Sequence, residues 1–125
     1  MHDCTLRNTL NSLYLIFLKT KAPSLCITKG LVQNDGILIL EGDFNKYDDG
    51  ASGVRLTIEI RDGDTHEVLR RITADNTDIS KPTKYSTVVG VKKNQKIELF
   101  FDASSINNPP GFYRWAAVEY DIFIV

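Results

Sequence analysis

A chain of 125 residues, 42% apolar and 25% charged, has the size and composition of one ordinary globular domain and can bury a core without disulfides or metals. Fifteen basic against sixteen acidic side chains leave a formal charge of −1, so there is no global positive field of the kind that steers nucleic acid. The basic residues are scattered; short pairs such as Arg70-Arg71 and Lys92-Lys93 read as solvated strand edges and turns, and no nucleic-acid partner is expected.

Residues 1–33 carry the weakest pattern. The most apolar run, Leu10 to Leu18, is far too short to span a bilayer. With Arg7 before it the run faintly resembles a signal-peptide core, but Asn11 and Ser12 interrupt it, Asp3 sits in the would-be basic region, and Lys19 and Lys21 follow at once. A strand over Leu13–Leu18, or a short helix, is the structural reading. Ser24–Val32 is a further strand candidate. Ile37 to Leu40 is a short apolar run between Asp35-Gly36 and Gly42, consistent with a buried strand.

From Val54 the pattern sharpens. Val54, Leu56, Ile58 and Ile60 alternate with Arg55, Thr57 and Glu59, the period of a half-buried strand. Asp62-Gly63 is a favoured tight-turn dipeptide, and Glu67–Thr73 beyond it completes a hairpin. Tyr85–Val91 is β-branched, Lys92–Gln95 is a polar turn, and Lys96–Phe101 alternates again. In the last segment, Trp115–Val125, Val118, Tyr120, Ile122 and Ile124 share one face and Glu119 and Asp121 the other. About eight short strands with turn signals roughly every ten residues predict an all-β, antiparallel two-sheet sandwich, jelly-roll-like, as a single domain over residues 1–125. The expected core is Val54, Leu56, Ile58, Ile97, Leu99, Val118, Tyr120, Ile122 and Ile124.

Three segments read as long loops: Gly42–Gly53, Ala74–Pro82 and Asp102–Arg114. Long loops are where function tends to sit. Catalytic constellations are harder to find. The two histidines are His2, at the chain terminus, and His66, just after a hairpin turn; neither forms a recognisable base–nucleophile set, and no G-x-S-x-G occurs. Phosphate-binding glycine loops are absent from the sequence. Glu41 with Asp43, and Glu119 with Asp121, are i, i+2 carboxylate pairs of the sort glycoside chemistry uses and solvated strand faces commonly carry. No catalysis is expected; a small hydrolase using Glu119 or Asp121 is the rival. The two cysteines, Cys4 and Cys26, match no zinc or C-x-x-C spacing and read either as two buried or free thiols or as one disulfide of an exported protein. Asp43 to Gly50 superficially resembles a calcium loop, but Asp48 stands where an EF-hand needs Gly and Val54 where it needs Glu. No cofactor is expected, apart from a structural calcium of another type held across loops.

Phe112, Tyr113 and Trp115 offer rings that stack on sugars or plug the end of a sandwich. Trp115, which opens the last strand, reads as a plug, and Tyr113 with Arg114 as ligand-facing.

From Ile37 onward the chain resembles the jelly-roll, carbohydrate-binding-module-like domains appended to carbohydrate-active enzymes. The resemblance rests on the acidic, Gly-rich segment after Gly42, GVRLTIEIRDG (Gly53 to Gly63), VLRRIT, VKKNQKIELFFDA (Val91 to Ala103), a loop with paired Asn, and the Trp-led WAAVEYDIFI. CUB-like sandwiches share the D-G hairpin and an I-x-L-x-F strand, but the spaced cysteines usual there are missing. The resemblance implies non-catalytic glycan binding by loops at one end of the sandwich, and an extracellular setting. Tyr47, Asp48, Asn107, Asn108, Tyr113 and Arg114 are the expected ligand residues, with Asn45, Asp75 and Asn76 nearby. The alternative is a structural or assembly module acting through protein–protein contacts, since the last strand runs apolar to Val125 and an edge strand of that kind can pair with another chain. Neither reading fixes an oligomeric state.

Overall fold

The computed structural model describes residues 5–7, 12–19, 25–46, 53–106 and 115–125. Among them there is no helix. The strands are β1 (Thr5–Arg7), β2 (Ser12–Lys19), β3 (Leu25–Leu31), β4 (Gly36–Lys46), β5 (Val54–Asp62), β6 (Val68–Asn76), β7 (Thr83–Val91), β8 (Lys96–Ser105) and β9 (Trp115–Ile124). They form a five-stranded sheet in the order β1-β3-β8-β5-β6 and a four-stranded sheet in the order β2-β9-β4-β7.

Set β1 aside and the remaining eight strands, counted from β2, stand first-eighth-third-sixth in one sheet and second-seventh-fourth-fifth in the other. Every connection except the β5–β6 hairpin crosses between the sheets. That is the double Greek key of a jelly roll. The expected antiparallel two-sheet sandwich is the fold found, and at the edge of the five-stranded sheet β1 adds a parallel pairing with β3, Thr5 opposite Ile27. Three residues at a sheet edge carry too little alternation to announce a strand, which is why the expected count falls one short.

Strand lengths are corrected too. β4 does not stop at Leu40 but runs to Lys46, taking in the first part of the expected Gly42–Gly53 loop. Likewise β6 extends to Asn76 and β8 to Ser105. The inward alternation continues through Phe44 and Lys46 and through Ala103, and the ladder follows it despite the acidic and small residues between.

The core lies between the sheets. Leu38, Leu40 and Phe44 of β4, Leu56, Ile58 and Ile60 of β5, Ile97, Leu99 and Phe101 of β8, and Val118, Tyr120 and Ile122 of β9 are at most 1% exposed. Phe101 and Tyr120, from opposite sheets, meet with ring centroids 5.0 Å apart at 40°, a tilted aromatic contact. Eight of the nine expected core residues are buried; Ile124, at the end of β9, is partly buried and packs against the cluster. Each such aliphatic side chain contributes about 1.5–3 kcal/mol on leaving water.

The two ends of the barrel-like stack differ. At one end the connections 32–35, 63–67 and 92–95 are tied to each other: Val32 N–H donates to the Gln95 carbonyl (2.8 Å), Gly63 N–H to the Lys96 carbonyl (2.8 Å) and Lys93 N–H to the Asp35 carboxylate (2.8 Å). Asp62 accepts from the N–H groups of Asp64 and Thr65 and from the Gln95 amide. In the turn after Asp62 the left-handed residue is His66 (φ 62°) and not Gly63. At the other end lie the strand ends Lys19, Leu25, Lys46, Val54, Asn76, Ser105 and Trp115 and the connection 77–82.

Candidate functional site

Cross-strand register brings the long-connection ends together. Lys46 lies opposite Ala116, and Val54 lies opposite both Asn76 and Ser105. Ile106 N–H donates to the Gly53 carbonyl at 3.0 Å. Lys46, Val54, Asn76, Ser105 and Ala116 therefore lie at the same end of the jelly roll. Tyr47, Asp48, Asn107, Asn108, Tyr113 and Arg114 lie outside the described residues, as do Cys4 and His2; the strand ends that carry the six are adjacent.

Three residues expected near that site have structural work instead. Asn76 is 3% exposed. Its side-chain oxygen accepts from the Lys46 N–H (3.0 Å), and its amide donates to the Lys81 carbonyl (2.8 Å) and the Thr83 hydroxyl (3.2 Å). It stitches β4 to the 77–82 connection. Asp75 forms a two-pronged pair with Arg55 at 2.8 and 3.0 Å; the guanidinium holds its carboxyl below the usual range. Asn45 donates to the Ile79 carbonyl at 2.8 Å, leaving its own buried oxygen without a hydrogen-bond partner. Asp78 takes the hydroxyl and N–H of Ser80, which lower its pKa.

A surface cavity lies elsewhere, on the outer face of the four-stranded sheet. It measures about 560 Å³ and is lined by Glu41, Gly42, Asp43, Lys84, Tyr85, Ser86, Glu119 and Asp121. The two carboxylate pairs seen in the sequence are one group: Glu41 stands opposite Asp121, and Asp43 opposite Glu119. Lys84 approaches Asp43 at 3.6 Å. Chemically the cavity offers anionic acceptors, the hydroxyls of Tyr85 and Ser86 and one ammonium. Among the described residues, no group of three or more His, Cys, Asp or Glu is placed to hold a metal ion.

A smaller groove of about 250 Å³ on the outer face of the other sheet is lined by Thr57, Glu59, Arg61, Arg71, Phe100 and Asp102. Arg61 lies 3.8 Å over the Phe100 ring and bonds Glu59, which Arg71 also approaches at 3.7 Å; the cations there are already matched. His66 is exposed, as expected, yet its Nδ1 sits 2.8 Å from the Glu98 carboxylate, whose side chain is only 7% exposed. Glu98 escaped the sequence reading because its neighbours on β8 give no reason to expect an outward acid to be covered.

Comparison with known proteins adds no family: no protein-family model and no curated protein matches the chain. Among the described residues no helix is long and apolar enough to cross a membrane.

Proposed function

We propose that this domain is a non-catalytic recognition module that binds a carbohydrate at the long-connection end of the jelly roll. One observation carries the reading: the register joins the ends of β4, β5, β6 and β8 and the start of β9, so the connections richest in Asn, Asp, Tyr and Arg depart from one place while short, mutually bonded turns close the opposite end. Jelly rolls present ligand surfaces in this way, and the resemblance of the sequence to carbohydrate-binding modules supplies the ligand class. Sugar recognition needs fixed partners for hydroxyl groups, which amides, carboxylates and guanidinium provide, and a ring to stack on. Tyr113, Arg114, Asn107, Asn108, Tyr47 and Asp48 would supply them. The committed hydrogen bonds of Asn76 remove it from the ligand set and make it the support of the set.

Each neutral hydrogen bond nets only about 1 kcal/mol against water, so one shallow site binds in the roughly millimolar to micromolar range. A glycan array, followed by titration of the best hit, tests the reading. Binding should weaken with Tyr113→Ala and with Asn108→Ala in protein whose β-sheet circular dichroism is unchanged. An array without hits, or binding that survives both changes, overturns it.

A further inference from the structure

Across β7, β4 and β9 the outer face of the four-stranded sheet passes along the strands from an apolar stretch to an acidic one, and β2 at the edge sets Leu13 opposite Asp121 and Leu15 opposite Glu119. In the apolar half Ile39 lies opposite both Val88 and Phe123, and Ile37 lies opposite Gly90 and is backbone-paired with Val125. Ile37 and Val88 are 48% and 47% exposed. Single exposed aliphatics are ordinary, but side chains from three neighbouring strands in adjoining rows make a patch. Gly90 leaves a notch in it: a Cβ there would meet nothing within 4 Å. The next two rows are Ser86–Glu41–Asp121 and Lys84–Asp43–Glu119, with one ammonium for four carboxylates in the cavity they line.

Like charges directly opposite each other on a sheet are destabilising. A solvent face built for stability would alternate sign across Glu41/Asp121 and Asp43/Glu119. Local rules are most often broken at functional places. We propose that this face docks an extended polypeptide segment presenting apolar side chains followed by basic ones, the apolar pair on Ile37, Ile39, Val88 and Phe123 and the basic pair over Glu41, Asp43, Glu119 and Asp121. Outward side chains on a strand recur about every 6.8 Å, so an extended partner meets both halves with alternate residues. The charge selects this occupant. Anionic membranes and nucleic acid are repelled, and a second copy covering the whole face by a two-fold axis would bury acid against acid or against the apolar half. The surface is distinct from the glycan end, and either reading stands if the other fails.

The test is an amide-resolved NMR titration of the full chain with a synthetic peptide, Leu-Ser-Leu-Ser-Lys-Ser-Arg, and with its counterpart carrying two Glu in place of Lys and Arg. The basic peptide should shift the amides of Ile37, Ile39, Glu41, Val88, Gly90, Asp121 and Phe123, with affinity falling at least about tenfold as salt rises. Gly90→Tyr, which fills the notch at a position open to solvent, should abolish the shifts while leaving the rest of the spectrum native. Combined Glu41→Gln and Asp121→Asn should raise the unfolding midpoint and weaken peptide binding together, which a merely structural role for the acids would not do. Glu41→Lys with Asp121→Lys should transfer preference to the acidic peptide. The proposal is overturned if neither peptide shifts this face, if both shift it equally, or if the same amides respond to protein concentration alone, which would make the occupant a second copy.

Discussion

The Tyr85 hydroxyl donates to the backbone carbonyl of Glu119 at 2.9 Å, joining β7 to β9 underneath the strand that separates them. Gly42 of β4 makes this brace available. It lies in register with Tyr85 on one side and Tyr120 on the other, and the Glu119 carbonyl stands 1.9 Å from where a Cβ of residue 42 would be. Burial pushes the Tyr85 phenol well up, with Tyr120 and Asp43 adding to the effect, so it remains a proton donor throughout the ordinary pH range.

Tyr85→Phe keeps the ring and removes the donor. The Glu119 carbonyl then loses a buried partner, a loss of about 1–3 kcal/mol. Urea denaturation should show a lower midpoint at unchanged slope; a midpoint equal to the parent's would mean that the hydroxyl contributes nothing.

Asn76→Ala removes three hydrogen bonds at a buried position, among them the one its oxygen accepts from the Lys46 N–H. The expected cost is about 2–4 kcal/mol, read as a fall in the guanidinium midpoint. Faster amide exchange at Lys46 and in the 77–82 connection should accompany it. A cost near zero would mean that these hydrogen bonds do not hold the 77–82 connection to β4.

That residue also marks how far the sequence was legible. Ile72, Ala74 and Asn76 have one parity on β6, so alternation alone could have sent Asn76 inward. Asp75 and the flanking Asn-Thr-Asp composition instead suggested a loop. The same happened after Leu40, where Gly42 and Asp43 concealed the inward Phe44. Strands with four clean alternations, such as Val54 to Ile60, were legible because burial of one face is the dominant local term. The acidic block was not, because Glu41 and Asp121 become neighbours only through β4–β9 register, which no local pattern encodes.

Acid should destabilise the fold through specific carboxylates. Hydrogen bonds from the Thr65 backbone, the Gln95 amide and the Asp64 backbone hold Asp62 below its ordinary value of 3.8; Asp75 is lowered by Arg55 and Asp78 by Ser80. A depressed folded-state pKa means that the unfolded chain binds more protons, so stability rises with pH. The contribution is fully present above the unfolded value and is lost as pH falls through 3.8 toward the folded value. Thermal midpoints should be flat on the neutral side of this window and drop below it. Asp62→Asn should lower the midpoint at neutral pH and make the acid limb shallower; an unaltered acid limb would remove Asp62 from the account.

Gly42 and Gly90 make the sharpest paired prediction, because they sit at the middle and the edge of one sheet and differ only in what surrounds them. A methyl group at 42 collides with the Glu119 carbonyl at 1.9 Å, a backbone atom that cannot rotate aside, and it presses on the acceptor of the Tyr85 bond. Gly42→Ala must separate β4 from β9 or break the brace, and should cost at least about 3 kcal/mol, or prevent folding. At 90 a methyl group meets nothing within 4 Å, and Gly90 is part of a regular strand, so Ala is free to adopt its backbone. Restricting the unfolded chain there should stabilise the protein by about 0.4–1 kcal/mol. Guanidinium denaturation of the two variants beside the parent gives both signs in one experiment. If Gly42→Ala is as stable as Gly90→Ala, the close approach of Gly42 to the Glu119 carbonyl is not a feature of the folded protein.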